Sequence, residues 1–299
     1  MNPPSLRFDP MKPWEVGLAV LISLVWGVSF VAIQIGVNSF PPLFFSAIRF
    51  ALAAIPLVFF LPPPKVSWKL VLSIGFTLGV VKFSLLFVGM HVGLSAGLAS
   101  LLLQAQVFLT LVLAALLLGE HPSSRQSLGI FLAFCGIAIV AMTIDSSASR
   151  LGLALVLLAA MAWAVSNLLM HRSGSVKMLN LMVWMSLVPP LPLLLLSFAL
   201  EGADWPAMSD VSWEGIWALI YVTLIGTVLG FAGWGFLLSR HGASRIAPFA
   251  LLVPIFGMGS SALVFGETFG AARLAGATVV LLGLVLAVSK TNNPRSQMQ

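Results

Sequence analysis

The sequence predicts an all-α polytopic membrane protein with ten transmembrane helices in two inverted five-helix repeats. Three observations lead to this prediction: the composition, the length of the apolar runs and an internal repeat. Of the 299 residues, 60% are hydrophobic and 8% are charged, whereas a soluble domain carries about 25% charged residues. Such a chain cannot cover a water-facing surface, so we expect lipid to be its main solvent.

Ten apolar runs of membrane length follow one another along the chain. Because the hydrocarbon core of a bilayer takes about 20 apolar residues per helix, each run is a candidate span. The runs cover residues 14–36, 42–61, 67–90, 95–118, 125–144, 151–171, 178–200, 213–239, 243–265 and 270–290. Proline, glycine and polar clusters separate them, and no loop is long enough to hold a second domain.

Two short sequence motifs each occur twice in the chain, at spacings of about 147 and about 137 residues. Residues 116–120 read LLLGE, and residues 263–267, about 147 positions later, read LVFGE. Residues 26–29 read WGVS and return about 137 positions later, at residues 163–166, as WAVS. Both pairs occur in the same order, which indicates a duplicated membrane unit.

The duplication divides the single transmembrane domain into a first half, residues 1–145, and a second half, residues 146–299. Each half holds five of the predicted spans. Because five is an odd number, twin helices cross the membrane in opposite directions, and the repeat is inverted. Such a pair of halves is suited to alternating access, since exchanging their conformations interconverts inward-open and outward-open states.

The distribution of lysine and arginine predicts the orientation. With the N-terminus inside, eleven of these residues fall on the cytoplasmic side and only Arg150 and Arg273 fall outside. The eleven are Arg7, Lys12, Lys65, Lys69, Arg125, Arg172, Lys177, Arg240, Arg245, Lys290 and Arg295. Cytoplasmic loops are rich in these residues, so we expect both termini in the cytoplasm and an even number of spans.

Several short motifs carry a resemblance to a known family. They are Trp26-Gly27 with Phe30, Arg49-Phe50, and the two Gly-Glu breaks with the following Gly129 and Gly276. In this order and spacing the chain resembles the drug/metabolite transporter superfamily, specifically its EamA-type members, and among them the YddG-type bacterial amino-acid exporters. The resemblance implies export of small metabolites, often amino acids, across a bacterial inner membrane.

The chain departs from the family pattern at two positions. Ala164 replaces the glycine of the second Trp-Gly pair, and Val107 stands where its twin is Pro254. We therefore expect the two halves to bend differently. Pro254 and Pro189 lie near the membrane midplane and are candidate gating positions.

The candidate substrate site lies at the midplane, where polar groups should face the bundle interior or a cavity. Trp163, Ser166 and Asn167 fall on one stripe of the sixth span and predict an aromatic cavity wall beside a hydroxyl and an amide. Helix packing is the alternative. Trp26 and Ser29 repeat part of this stripe on the first span, with the same two interpretations.

Other polar side chains extend the candidate site. Gln104 and Gln106 cannot share one helix face, so we expect at most one of them to contact a ligand and the other to bond a neighbouring helix. Gln104 is included in the candidate site, and the sequence leaves open which of the two faces the cavity. Tyr221 is deep enough to donate to a ligand. Lys82 is a candidate anchor for a substrate carboxylate, and snorkelling to the outer headgroups is the alternative.

Four further residues are assigned structural roles. Arg49 lies in the outer half of the second span and has the same two interpretations as Lys82. We expect it to pair with Glu267 or with a helix C-terminus. Gly79 and Gly226 are twins in the 147-residue register and have small-residue spacing typical of close helix packing.

The sequence lacks several residue patterns that are typical of enzymes, which disfavours an enzymatic function. No pair of acids lies within a span, the four histidines fall at span ends or in loops, and no phosphate-binding loop occurs. We expect no cofactor, no metal and no nucleic-acid partner. The partners are a small-molecule substrate and the lipid bilayer, and the choice between monomer and homodimer stays open.

The sequence thus predicts a transporter that exports small organic metabolites, neutral or aromatic amino acids in particular, through a central apolar cavity. Lys82, Arg49 and Tyr221 are the only ionisable side chains clearly inside spans, so we expect a facilitator. The alternatives are a non-transporting membrane protein, such as a lipid-handling enzyme or a receptor, and a nucleotide-sugar or sugar-phosphate transporter of the same superfamily.

Overall fold

A computed structural model describes residues 11–119, 122–144, 147–173, 176–202 and 211–288. Ten helices account for nearly all of these residues, and no strand occurs among them. The helices are α1 Pro13–Ser39, α2 Pro42–Val58, α3 Trp68–His91, α4 Ala96–Leu118, α5 Ser124–Met142, α6 Ser147–His171, α7 Met178–Leu200, α8 Trp213–His241, α9 Ala247–Phe265 and α10 Ala271–Val288. A four-residue turn, Ala243–Ile246, precedes α9.

Nine of the described helices are long and apolar enough to cross a membrane, and α2 is the shorter one. It has 17 residues and therefore spans about 25 Å at 1.5 Å per residue. The predicted run continued to residue 61, but the helix ends at Val58, just after Pro56 in its last turn. Large apolar side chains such as Leu116, Phe131 and Leu263 are exposed, as expected for helices that face lipid.

Helices α3 and α8 each contain a π-helical segment, Gly75–Lys82 in α3 and Tyr221–Leu229 in α8. The wider turn of a π-helix is rare and occurs frequently at functional sites. A shift of 147 residues carries the first segment onto residues 222–229, within one residue of the second. The two π-helical segments therefore lie at the same spacing as the matching amino-acid pattern.

Helix ends in the two halves follow the same register. The straight part of α4, Ala105–Leu118, corresponds residue for residue to the straight part of α9, Leu252–Phe265. Each part is followed by a glycine with positive φ, Gly119 at 69° and Gly266 at 65°. Left-handed backbone at this position favours glycine and ends a helix.

Helices α4 and α9 are also interrupted at the same register. The interruption in α4 lies at Leu103 and Gln104, where no proline is present. In α9 a 3₁₀ turn, Ala247–Leu251, precedes the straight part. Pro254 lies beyond this turn, inside the helix, so the interruption has the same position in both halves although its local geometry differs.

Helix α7 is interrupted between Met185 and Pro190, whereas the sequence predicted one continuous span. Proline removes a backbone donor and clashes with the preceding turn, which accounts for the break at Pro189-Pro190. Pro189 lies against Gly79 of α3, so closely that a Cβ atom on Gly79 would overlap its ring. This contact places the π segment of α3 directly on the interruption of α7.

Glycines also mediate the contact between α5 and α10. A Cβ atom on Gly129 would lie 2.6 Å from the carbonyl oxygen of Gly283, and one on Gly136 would lie 2.7 Å from that of Gly276. The helices are therefore antiparallel and packed backbone to backbone. In the 147-residue register Gly276 is the twin of Gly129 and Gly283 the twin of Gly136, so each glycine contacts the twin of the other. Such a reciprocal pattern is the one that a two-fold axis perpendicular to the helices would produce.

Candidate functional site

Lys82 ends the π segment of α3 and is 4% exposed. Its Nζ lies 4.6 Å from the centre of the Trp163 ring on α6 and 3.3 Å from the centre of the Phe83 ring. These distances are typical of cation–π contacts. The structure thus brings together the cation and the aromatic wall that the sequence assigned separately, and Lys82 is enclosed by the bundle.

Arg49 of α2 lies against the same phenylalanine ring. Its Cζ is 4.2 Å from the centre of the Phe83 ring, with Phe50 and Phe87 also within cation–π distance. Nη2 donates a hydrogen bond of 2.9 Å to Thr227 Oγ1 in the π segment of α8, and Nε is buried without a partner. Arg49 is also 4% exposed, so two buried cations share one aromatic ring.

No acidic side chain in the described ranges pairs with either cation. Four acidic residues lie in those ranges: Glu15, Glu201, Glu214 and Glu267. Glu214 is exposed in the first turn of α8. Glu201 caps the start of α2, where its carboxylate accepts hydrogen bonds from the backbone N–H groups of Leu43 and Phe44, an arrangement that the helix dipole favours.

The expectation that Arg49 pairs with Glu267 or with a helix C-terminus is wrong, because its partner Thr227 lies inside the π segment of α8. Ser261 Oγ donates to the Glu267 carboxylate, and Glu267 lies beyond the end of α9. Arg49 is seven positions into α2, about 10 Å from its start, and extends toward α8. The hydroxyl of Thr227, not a carboxylate, accepts its hydrogen bond.

The polar stripe of α6 contacts two neighbouring helices. Ser166 Oγ lies 2.8 Å from Thr77 Oγ1 of α3, to which it can donate. Asn167 Nδ2 donates to Gln106 Oε1 at 2.6 Å and lies 3.1 Å from Thr110 Oγ1 of α4. In this conformation Trp163 is the stripe residue that faces a cation, while Ser166 and Asn167 hold α6 against α3 and α4.

The two glutamines both contact other helices. Gln106 accepts the bond from Asn167, and Gln104 Nε2 donates to the Ala250 carbonyl oxygen at 3.3 Å. Gln104 is buried at the interruption of α4, and Ala250 lies in the 3₁₀ turn of α9. The Gln104 bond therefore connects the matching interruptions of the two halves.

Helix α1 contacts the π segment of α8 through four candidate residues: Trp26, Ser29, Tyr221 and Gly226. Trp26 Nε1 donates to the Gly226 carbonyl oxygen at 2.9 Å, and Tyr221 donates to the Val25 carbonyl oxygen at 3.0 Å. A Cβ atom on Gly226 would lie 2.9 Å from Ser29 Oγ. The twin contact joins α6 to the π segment of α3, and there the tryptophan faces Lys82 instead of a carbonyl oxygen.

Sequence reasoning missed an ion cluster that joins the start of α1 to the end of α8. Glu15 is 1% exposed, and its carboxylate lies 2.8 Å from Arg240 Nε and 3.1 Å from His241 Nε2. The backbone N–H of Lys12 also donates to it at 2.7 Å. The available signal was the rarity of acids near spans, since Glu15 lies at the start of the first predicted span and Arg240 directly follows the eighth. The cluster links the first half to the second.

A cavity of about 240 Å³ lies at the opposite end of α1. It is lined by Gln34, Met90, His91, Gly93, Leu94, Ser95, Phe265 and Glu267. A second cavity, of about 10 Å³ and lined in part by Thr227 and Ser186, has room for about one water. The helices are therefore held together by the side-chain contacts of Glu15 at one end and separated by an open cavity at the Glu267 end.

Comparison with known proteins gives a consistent result. Residues 13–142 and 150–289 match the model of the EamA-like transporter family. A Salmonella typhimurium protein named "Probable amino-acid metabolite efflux pump" is 39% identical over 91% of this chain and 93% of its own length. An Escherichia coli K12 protein of the same name is 36% identical with the same coverage. A solved crystal structure with a TM-score of 0.60 covers 93% of this chain and 98% of its own at 14% identity, which shows a similar fold.

Proposed function

The chain belongs to the EamA-like transporter family, and from this membership we propose that it exports amino-acid metabolites by alternating access. The family match confirms the resemblance drawn from the Trp26-Gly27 and Arg49-Phe50 motifs. It also identifies the chain as a polytopic membrane transporter. The relatives at 36% and 39% identity are named for amino-acid metabolite efflux, which supports the same substrate class here.

The contact between Lys82 and Trp163 carries the proposal for the site. A metabolite carboxylate is held by Lys82 Nζ, and the apolar body of the metabolite stacks on Trp163 and Phe83. A lysine without an acidic partner is expensive within a membrane, so a transported anion supplies a favourable interaction that the protein itself does not. Ser166, Asn167, Gln104 and Tyr221 complete the site when the helices that they now join move apart.

Ten spans in two inverted halves, 1–145 and 146–299, provide the two states. The matching π segments, the matching helix ends and the reciprocal glycine contacts of α5 and α10 support this organisation. The family match also falls into two segments, 13–142 and 150–289. An α2 of about 25 Å completes the ten spans if the bilayer thins locally beside it.

The distribution of positive charge supports an orientation with both termini in the cytoplasm, in a bacterial inner membrane. In that orientation the Glu15 cluster closes the cytoplasmic end, and the cavity lined by Gln34 and Glu267 opens to the outside. Export then proceeds by breaking the cluster, admitting substrate from the cytoplasm, and forming the cluster again. The helices bend at the contact of Gly79 with Pro189 and at the interruptions near Pro254.

Counterflow in proteoliposomes tests the function. Vesicles that contain the protein are loaded with one unlabelled metabolite and then supplied outside with the labelled form of the same compound. Exchange well above that of protein-free vesicles supports a transporter of that compound. Absence of exchange across amino acids and their carboxylate derivatives would favour the non-transporting alternative.

A further inference from the structure

We propose that Arg49 and Lys82 together select metabolites of net negative charge. The preferred substrates are carboxylates whose amino group is absent or acylated, such as 2-oxo acids and N-acyl amino acids, and zwitterionic amino acids are disfavoured. The proposal rests on the proposed export function and narrows its substrate class.

The first argument is the arrangement of charge. Arg49 and Lys82 come from different helices, yet both lie against the ring of Phe83 and both are almost fully buried. Like charges so placed repel each other, and the low dielectric of the bundle strengthens this repulsion. A bound anion between them relieves it, whereas the ammonium group of a zwitterion adds a third positive charge.

The second argument is the count of donors. Arginine has five N–H donors and lysine three, and neither side chain has an acceptor. Among the described residues, the one hydrogen bond made by these groups runs from Arg49 to Thr227, and Arg49 Nε is buried without a partner there. Thr227 donates its own proton to the Val222 carbonyl oxygen. The site therefore offers free donors that suit a carboxylate and no carboxylate that suits an ammonium group.

The third argument is the difference between the two halves. In the 147-residue register the twin of Lys82 is Leu229, which ends the π segment of α8. The second half builds the same segment against α1 without a cation, with Trp26 bonded to the backbone of Gly226. The fold thus forms this contact without a buried charge, so the charge at Lys82 serves binding.

Anionic selectivity also explains the energetics of export. The described spans carry no acid or histidine beside Lys82 that could relay a proton. A bacterial membrane potential, negative inside, drives anions outward because each charge gains energy on crossing. A facilitator of anions therefore exports against a concentration gradient, whereas a facilitator of zwitterions does not.

The experiment is counterflow with matched probes that share one side chain. For phenylalanine, leucine and serine, the set contains the amino acid, its 2-oxo acid, its N-acetyl derivative and the corresponding amine. We expect the oxo or acetyl form to exchange at least about tenfold faster than the amino acid in one or more sets, and the amine to be inert. Equal or faster exchange of the amino acids in every active set overturns the selectivity. Inactivity of all twelve compounds overturns the export function itself, and the selectivity with it.

Variants on α3 link the selectivity to the site. Lys82→Gln should remove most of the preference for the anion, while Lys82→Arg, which keeps the charge, should retain it. Lys69→Gln removes an exposed charge from the same helix and should leave the preference unchanged. An unchanged preference in Lys82→Gln would overturn the assignment, and retention in Lys82→Arg guards against mistaking a folding defect for lost selectivity.

An electrical measurement provides an independent readout. Valinomycin with a tenfold higher potassium concentration outside makes the vesicle lumen positive, and a monoanion should then accumulate inside about tenfold at equilibrium. Reversing the potassium gradient should reverse the distribution. A substrate distribution that is independent of the potassium gradient would contradict transport of net negative charge.

Discussion

The ammonium nitrogen of Lys82 lies 4.6 Å from the centre of the Trp163 ring, across the interface of α3 and α6. The two residues are distant in sequence and belong to different halves of the chain. Their contact joins a cation to an aromatic face at the end of a π-helical segment, where backbone geometry departs from the regular helix. This arrangement distinguishes the α3–α6 contact from its twin between α8 and α1.

Trp163→Ala should weaken substrate binding without preventing membrane insertion. Loss of aromatic stacking and of the cation–π contact amounts to roughly 1–2 kcal/mol, or about 5- to 30-fold in apparent affinity. Concentration dependence of counterflow measures it. Trp217→Ala, which truncates an exposed tryptophan of α8, is the matched control and should leave the affinity unchanged. Equal affinities in both variants would indicate that Trp163 packs against other helices and does not bind the substrate.

Gly129→Ala should destabilise the contact of α5 with α10. The added Cβ lies 2.6 Å from the Gly283 carbonyl oxygen, and overpacking of this kind costs about 1–3 kcal/mol. Gly259→Ala is the control because nothing lies within 4 Å of its Cβ, and alanine favours a helix over glycine. Thermal unfolding in detergent should therefore show a lower midpoint for the first variant and an unchanged or higher one for the second.

Glu15→Gln should open the Glu15 end of the bundle, cytoplasmic in the proposed orientation, more often. Hydrogen bonds to a charged group contribute about 1.5–3 kcal/mol. Their loss should raise the population of the open state at least about tenfold, and maleimide labelling of Ser23→Cys should become faster by the same factor. Labelling is measured in inside-out vesicles, in a Cys135→Ala background. Glu214→Gln, which alters an exposed acid of α8, serves as the control. Identical labelling of both variants would show that the Glu15 cluster does not hold this end closed.

The topology is tested by labelling intact cells with an impermeant thiol reagent. Ser5→Cys and Ser296→Cys should be protected, and Ser209→Cys should react, because the charge distribution predicts that both termini lie inside. These three positions lie outside the described residues, so the test is independent of the structure. The reverse labelling pattern would invert the assigned orientation.

Composition and apolar run length predicted the membrane class because both are averages over many residues. The repeat register was also visible, since matched small residues and Gly-Glu breaks leave a signature in sequence. The early end of α2 and the interruption of α7 were not predicted. Hydropathy continues smoothly through Val58 and Pro189 and does not report where backbone hydrogen bonding stops.

The site was predicted in part. Residue type and depth singled out Lys82 and Trp163, because a cation inside a span and a large aromatic at the midplane are both unusual. Their contact depends on how α3 crosses α6, which no local pattern encodes. For the same reason the partner of Arg49 was misassigned, and the contact of Glu15 with Arg240 was missed.

The most direct test of the account measures substrate distribution in proteoliposomes with the potential clamped at zero by valinomycin and equal potassium. Labelled substrate should equilibrate faster than in protein-free vesicles, and an imposed pH gradient should not raise its concentration above equilibrium. This result is expected for a facilitator that binds its substrate at Lys82 and Trp163. Flux no faster than in protein-free vesicles, or proton-driven accumulation that Lys82→Met abolishes, would contradict it.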